Sequence, residues 1–512
     1  MSPRRLLAGR GARASRGAGA RSCSRQDEGP WSSGRRDRAF LTPLGWERNK
    51  AGEQPWRGRC ATPRFPTVED MKLATSFTSS QGQRFPAPDV SRGLMLLFIA
   101  LANIPFWVVT TSSSAPSDAA DTAWLWVRTL LVDHRAYPLF AMLFGFGLAT
   151  MINRRIASGT RSYLSSLPGV EAGREPTSQE ETWAREQATV DARRLVRRRG
   201  LWMILLGAAH AALFSGDIIG TYGLAAAVFA GWLARKHRKR AMAVCVVITI
   251  AAITTMYTMG SHLAAQGLTS AAAMQQGTGE SSATLLSYIS GSVTSWAGNS
   301  VATVLFSMVV PAMFLGARLA DTDLLAHPER HRRLLTAVGL GGLGVGAAGG
   351  IGYGIWATGG PLAAWTAPLH EVTGLAGACG WLALLALYAG GPTADGRLTG
   401  LRRLASAVGR RSMTAYLSQS LLFATIFLAL PTLTGIGLHL GEARAAGIAL
   451  AVWLATVGLC AVLERLGEPG PFEALLRTAV ARSERRRRLP VPPVVAAPAE
   501  SATSRGVYDL AR

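Results

Sequence analysis

The chain has 512 residues, of which 49% are hydrophobic and only 17% charged, with a formal net charge of +23. The charges are gathered in the tails and in alternate loops, and the five cysteines include no C-x-x-C pair. This excludes a basic nucleic-acid-binding module, which would carry its cations on a recognisable motif, and it points to neither a disulfide framework nor a thiolate metal site.

Residues 1–88 are rich in Arg, Gly, Ser and Pro and contain no apolar run of signal-peptide length. Such a composition cannot bury a core, so a disordered basic tail is expected. Met71-Lys72-Leu73 is a more ordinary lead-in, and a start at Met71 is an alternative. The segment 483–512, again basic, is expected to be a second disordered tail.

Between the tails, residues 89–482 alternate apolar runs with polar loops. Ten spans are predicted, at 93–110, 136–152, 200–216, 217–234, 241–258, 298–320, 334–357, 370–390, 410–430 and 443–464. Each is of a length to cross a hydrocarbon core of ~30 Å at ~1.5 Å per residue. The long loop 153–199 carries ten Arg, and the turn Arg235–Arg240 five basic residues. Five more lie in 391–411 and nine follow residue 464. The alternating loops 259–297, 358–369 and 431–442 carry none, and only 111–135, with Arg128 and Arg135, breaks the pattern. Basic loops stay in the cytoplasm. The prediction is an all-α, polytopic transmembrane bundle of the cell membrane with both termini cytoplasmic. Its partners are the bilayer and the anionic lipids of the cytoplasmic face.

Shorter signals fall inside this frame. Trp124, Trp126, Leu130 and Leu131 predict an amphipathic helix on the outer interface. Ser178 and Glu181 fit a capping box that opens a charged helix running toward Arg199. Gly342, Gly346, Gly350 and Gly354 form a stripe that admits a neighbouring backbone. Phe144-Gly145-Phe146-Gly147 softens the second span or receives a close neighbour.

Polar groups inside spans are costly and point to function. Arg92 and Asn103 share a face of the first span, eleven residues apart. His210, in the third span, has a side chain suited to a general base, or else it ties two helices together. Asp217 caps the fourth span or faces the site. It lies seven residues past His210, about 10 Å along an unbroken helix, so a direct His–Asp pair is not expected unless the helix breaks. Tyr416, Gln419 and Ser420 form one stripe of the ninth span, with Tyr416 the candidate acid partner of His210. Counted from the nearest cytoplasmic arginine, Asn103, His210 and Gln419 lie at similar depth, so one buried site is expected if their helices adjoin. His134, in Asp133-His134-Arg135, is an outer-face residue, either an outward acid or base or, as expected, a solvated loop histidine.

Five stretches together resemble the YeiB-like bacterial membrane proteins, known as domain of unknown function 418. They are Asp89–Asn103, Arg135–Gly147, His210–Tyr222, Gly409–Ser420 and Gly470–Glu473 with Arg477. Ala415 stands where that family often has Asn, and Ala474, Leu475 and Leu476 where it often has Trp. The family is distantly similar to multi-spanning membrane acyltransferases. The resemblance implies a bundle over about residues 85–482. It also implies acyl transfer to an envelope or lipid-linked acceptor, with His210 as base and Arg92 engaging an anionic donor such as acyl-CoA. No bound cofactor or metal is expected. The alternatives are a small-molecule transporter or exporter using the same midplane cluster, and a non-catalytic envelope scaffold.

Overall fold

The computed structural model describes residues 85–109, 118–170, 173–267, 285–392, 398–435, 438 and 440–484. The two expected tails, apart from residues at their inner edges, lie outside these, as does the proposed start at Met71. Every regular element among the described residues is helical.

Helices α1 (Pro86–Val109), α2 (Ala119–Leu131) and α3 (Ala136–Ser165) open the bundle. Next come α4 (Ser178–Ala211) and α5 (Ile219–Arg235), then α6 (Arg238–Ala265). The pair α7 (Leu285–Phe306) and α8 (Val309–Leu319) is bent by 61° at the break between them. A short 3₁₀ turn leads into α9 (Arg332–Ala357), followed by α10 (Thr366–Ala389), α11 (Gly400–Arg410) and α12 (Ser412–Ala424). After a π turn come α13 (Leu430–Thr434), α14 (Glu442–Arg465) and α15 (Pro471–Arg482).

Seven helical segments are long and apolar enough to cross a membrane, and eight if the bent pair α7–α8 counts as one span. The chain is thus a membrane-embedded helical protein. The helix α6 shows why its surface needs lipid. Only 11% of its apolar window is buried, and Met242, Val246, Val247 and Ile250 all point outward. The third and fourth expected spans correspond to α4 and α5 and fall short of the same standard. The apolar end of α4 is only the last third of a helix that begins with charged turns, and α5 has 17 residues.

The long polar helix starts one residue earlier than the sequence signal suggests. Thr177, not Ser178, is the N-cap, and Glu180, not Glu181, completes the box. The Thr177 Oγ1 accepts from the Glu180 N–H at 3.3 Å, and the Glu180 carboxylate accepts from the Thr177 N–H at 2.8 Å. Arg174 then doubles back to donate to both Glu180 oxygens, at 2.8 and 3.0 Å. Those bonds, Arg174 first, hold the Glu180 carboxyl well below its ordinary value, at about 2. The competing pair Ser178 and Glu181 has the same spacing, so only the return of Arg174 decides the register.

Small residues set the closest approaches. A Cβ on Gly145 would strike the Met313 carbonyl, and one on Gly316 the Met142 carbonyl, so α3 and α8 cross with their backbones in contact. The glycine stripe of α9 packs on α10, Gly342 against Ala376 and Gly380, and Gly346 against Gly377. At the other side Gly93 lies on the Ala405 carbonyl and Gly409 on the Asp89 carbonyl. The expected amphipathic helix is α2, with Trp124 and Trp126 half-buried. Asp118 and Asp121 cap it as a reciprocal box.

The two arginines that break the charge alternation are both tied down. Arg128 is buried and donates to Asp133 at 3.1 Å and to Glu442 at 2.5 Å. Arg135 is fully buried and donates to the carbonyls of Thr129, Asp133 and Gly346. A guanidinium spent on carboxylates and carbonyls is a structural tie, not a loose cytoplasmic charge.

Candidate functional site

The site is made by the end of α4. The helix stops at Ala211, and the His210 carbonyl accepts from both Leu213 and Phe214. The six residues from Ala212 to Asp217 then reverse the chain. Gly216 is needed there, because a Cβ would meet the Phe214 ring. The carbonyls stranded at a helix C-terminus need donors. Here α7 supplies two of them: Ser292 Oγ donates to Ala211 at 2.6 Å and Tyr288 Oη to Leu213 at 3.1 Å.

The reversal places Asp217 beside His210, with Nδ1 and Oδ1 2.7 Å apart. The His–Asp pair that an unbroken helix forbids is therefore present, because the helix breaks. A carboxylate only accepts, so Nδ1 carries the proton and donates. The second oxygen, Oδ2, accepts from the Gly220 N–H at 2.8 Å and from Trp296 Nε1 at 3.2 Å. Asp217 thus holds the first turn of α5 through the Gly220 N–H, although the N-cap position itself is Ile218, and it faces His210. Gly207, one turn before His210, leaves room for Oδ2 and for the Gly220 backbone. Glycines at 207, 216 and 220 around a His and an Asp are the sequence signal that marks this pair.

Both side chains are almost fully buried. The second imidazole nitrogen, Nε2, is buried without a hydrogen-bond partner. The Tyr416 ring stands 5.3 Å away, edge-on at 66°. Its hydroxyl is buried and makes no hydrogen bond of ordinary geometry, although the Ile218 N–H is close enough to act on it. Buried polar groups are almost always paired, so the imidazole Nε2 stands out among the buried groups here.

The other expected site residues are placed less compactly. Gln419 lies one turn after Tyr416, is buried, and donates to the Leu96 carbonyl at 3.4 Å. Asn103 is half-buried on α1, seven residues beyond Leu96, and no hydrogen bond joins it to His210 or Gln419 among the described residues. Arg92, toward the start of α1, reaches Asp89 at 3.5 Å and donates to the Leu143 carbonyl at 2.8 Å. The structure therefore brings His210, Asp217 and Tyr416 together, sets Gln419 on the α1 backbone, and leaves Asn103 and Arg92 on α1.

A second acid–base cluster joins His134 to partners that the sequence did not reveal. His134 is not a solvated loop residue: its side chain is only 28% exposed and Nδ1 lies 2.5 Å from Glu371 Oε2. The other Glu371 oxygen accepts from Tyr137 Oη and from the Met308 N–H, at 3.0 Å, in the break between α7 and α8. His370 is fully buried, stacked on Tyr353 at 4.8 Å, and its ring is 4.4 Å from that of His134. Its Nε2 is unpaired as well. His134 holds a left-handed backbone, φ 57°. A non-glycine residue adopts that conformation only where its surroundings force it. Here Asp133 is fixed by Arg128 and Arg135 by three carbonyls. Sequence reasoning passed over this cluster because His370-Glu371 stands at the start of an apolar run, where polar residues are ordinary.

The remaining motifs meet at the opposite end. Glu473 accepts from the N–H groups of Met413 and Thr414, at 2.7 and 3.1 Å, and from Thr414 Oγ1 at 2.5 Å. It so closes the N-terminus of α12, where free N–H groups favour a carboxylate. Arg411 donates to Glu464 at 2.7 Å and to the Glu468 carbonyl. Ala415 is fully buried, and of the three residues standing where Trp is common, Leu476 is buried and Leu475 exposed.

A family model described as a protein of unknown function, domain of unknown function 418, matches residues 319–483. The expected resemblance thus holds over the stretch from the end of α8 to α15. That stretch contains His370, Glu371, Tyr416 and Gln419, and His210 and Asp217 lie before it. No curated protein and no solved structure matches the chain.

Proposed function

We propose that the chain is a ten-span protein of the cell membrane that transfers an acyl group to an envelope or lipid-linked acceptor. The hairpin α4–α5 adds two spans to the eight counted above. At ~1.5 Å per residue α5 rises about 26 Å and the end of α4 after Arg199 about 18 Å, so the hairpin turn, and with it His210 and Asp217, would lie between the midplane and the outer face. The alternation of basic loops supports cytoplasmic termini.

One observation carries the chemistry: a buried imidazole whose Nδ1–H is held by a carboxylate and whose Nε2 has no partner. A base must keep one nitrogen unprotonated and aimed, and the carboxylate secures both conditions. As the acceptor hydroxyl attacks the thioester carbonyl, its proton passes to Nε2. The C–S bond then breaks, and the proton is handed to the departing thiolate. Tyr416 Oη would donate to the developing oxyanion or to the leaving group. Gln419 and Asn103 would orient the substrate. Arg92 would attract the phosphates of a donor such as acyl-CoA, which guanidinium groups bind in pairs of hydrogen bonds.

A small-molecule transporter is the second reading. It is favoured by the buried polar contacts that α7 and the break after it make with both acid–base pairs. Trp296 touches Asp217, Ser300 touches Thr221 at 3.0 Å, and Met308 touches Glu371.

The test is transfer of label from acyl-CoA to membrane extract by the purified full chain in proteoliposomes. His210→Ala should abolish transfer while folded protein is still recovered, and His210→Gln, whose amide can still donate to Asp217, should abolish it with thermal stability near wild type. Unchanged transfer in that variant, or an equal loss of folded protein, would sink the assignment. Uptake of label without product would favour transport.

A further inference from the structure

A cavity of about 370 Å³ opens between α3, α5, α6 and α8, lined by none of the candidate-site residues. Its floor is apolar, formed by Trp232, Leu233, Cys245 and Phe314. Its rim is cationic, with Lys236, Arg238 and Arg318 around the single carboxylate of Asp321. Lys236 Nζ lies 2.6 Å and Arg238 3.5 Å from that carboxylate. Burial pushes the Asp321 carboxyl up, but the Lys236 hydrogen bond and charge, with Asn153 and Arg238, outweigh it and hold it below its ordinary value. Asp321 is therefore an anion already shared by two cations. Arg318 is exposed and has no ion-pair partner among the described residues.

The rim is also fixed in place. Lys236 ends α5 in a left-handed conformation, φ 52°, and α6 begins two residues later. The cavity mouth opens beside Met242, 67% exposed, and along the outward apolar face of α6. That face is one a bilayer must cover. The rim belongs to the basic turn that the charge alternation sets on the cytoplasmic side. Anionic headgroups are concentrated on that side, and each basic residue near the surface attracts them.

We propose that this cavity binds one anionic phospholipid. The phosphate and its anionic headgroup rest on Arg318 and the uncompensated charge of Lys236 and Arg238, while the glycerol and first acyl carbons occupy the apolar floor. The volume lies in the ~300–1,000 Å³ range of ligand pockets. A zwitterionic lipid would present as much positive as negative charge to the rim, and a free phosphate would leave the floor wet.

The experiment is native mass spectrometry of the full chain released from nanodiscs of phosphatidylglycerol and phosphatidylcholine in equal parts. Wild type should retain one phosphatidylglycerol in preference to phosphatidylcholine. Arg318→Ala, at an exposed position, should weaken that retention roughly fivefold, the effect of one cation near an anionic surface. Met242→Trp, which fills the mouth from an exposed position, should also reduce it. Arg403→Ala removes the same charge from α11, outside the cavity, and should leave retention unchanged. Equal retention of both lipids, or equal loss in Arg318→Ala and Arg403→Ala, would overturn the proposal. So would displacement of the lipid by inorganic phosphate, which would mark a small-anion site instead.

Discussion

Replacing Asp217 in two ways separates its structural work from its chemical work. In Asp217→Ala three buried donors lose their acceptor: His210 Nδ1–H, the Gly220 N–H and Trp296 Nε1–H. Each unsatisfied buried donor costs about 1–3 kcal/mol, less where water can enter. With a small cavity added, a loss of about 3–5 kcal/mol is expected, a large part of a membrane domain's margin. Asp217→Asn keeps the shape. Its amide oxygen still accepts from Gly220 and Trp296, and its NH₂ group donates to His210 Nδ1. That donation forces the imidazole proton onto Nε2, and the base is blocked. Stability should then fall by no more than about 1–2 kcal/mol, because every hydrogen bond is retained in number. Transfer should drop by about 10²–10⁴-fold, the usual contribution of a general base. Thermal unfolding in detergent, followed by tryptophan fluorescence, reads the first effect, and acyl transfer in proteoliposomes the second. If Asp217→Ala melts with wild type, the hydrogen-bond reasoning is wrong. If Asp217→Asn keeps full transfer, the imidazole is not the base.

Two further predictions concern the frame of the molecule. The Glu180 carboxyl is held at about 2, against an ordinary value of 4.5, by Arg174 and Thr177, so its contribution to stability is present above pH 4.5 and is lost as the pH falls toward 2. Glu180→Gln should therefore melt below wild type at pH 7 and approach it as the pH drops through that window; a constant difference down to pH 2 would refute the assignment. Single cysteines placed in 259–297 or 431–442 should react with a membrane-impermeant thiol reagent from outside intact cells, and those in 153–199 or 391–411 should not. Labelling of both sets from one side would dispose of the ten-span topology.

Much of the frame is legible because it is local. An apolar run long enough to cross a bilayer must be a helix there, since no water can satisfy a bare backbone. This is why α1, α3, α6, α9, α10 and α14 stand close to where the hydropathy puts them. The glycines of α9 likewise announce a close neighbour, and α10 is that neighbour. His210, Asp217 and Tyr416 could be singled out by the cost of polar groups among apolar ones. Their meeting could not, because ideal helical spacing sets Asp217 about 10 Å from His210. The distance collapses only because α4 ends at Ala211 and α7 receives its free carbonyls.

By itself the sequence determined the helical class and the apolar segments, because each follows from short-range composition and the solvent around it. Tertiary structure alone decided which charges are loose and which are spent. Arg128 and Arg135 look like orientation signals until Glu442, more than three hundred residues on, and the Gly346 carbonyl take them up. His134 looks like a loop residue until Glu371, on a helix far along the chain, closes on its Nδ1. A buried ionic group is tolerable only with partners. Those partners come from distant helices whose adjacency is set by backbone contacts at Gly145, Gly316 and Gly377, and no local pattern in the chain encodes that adjacency.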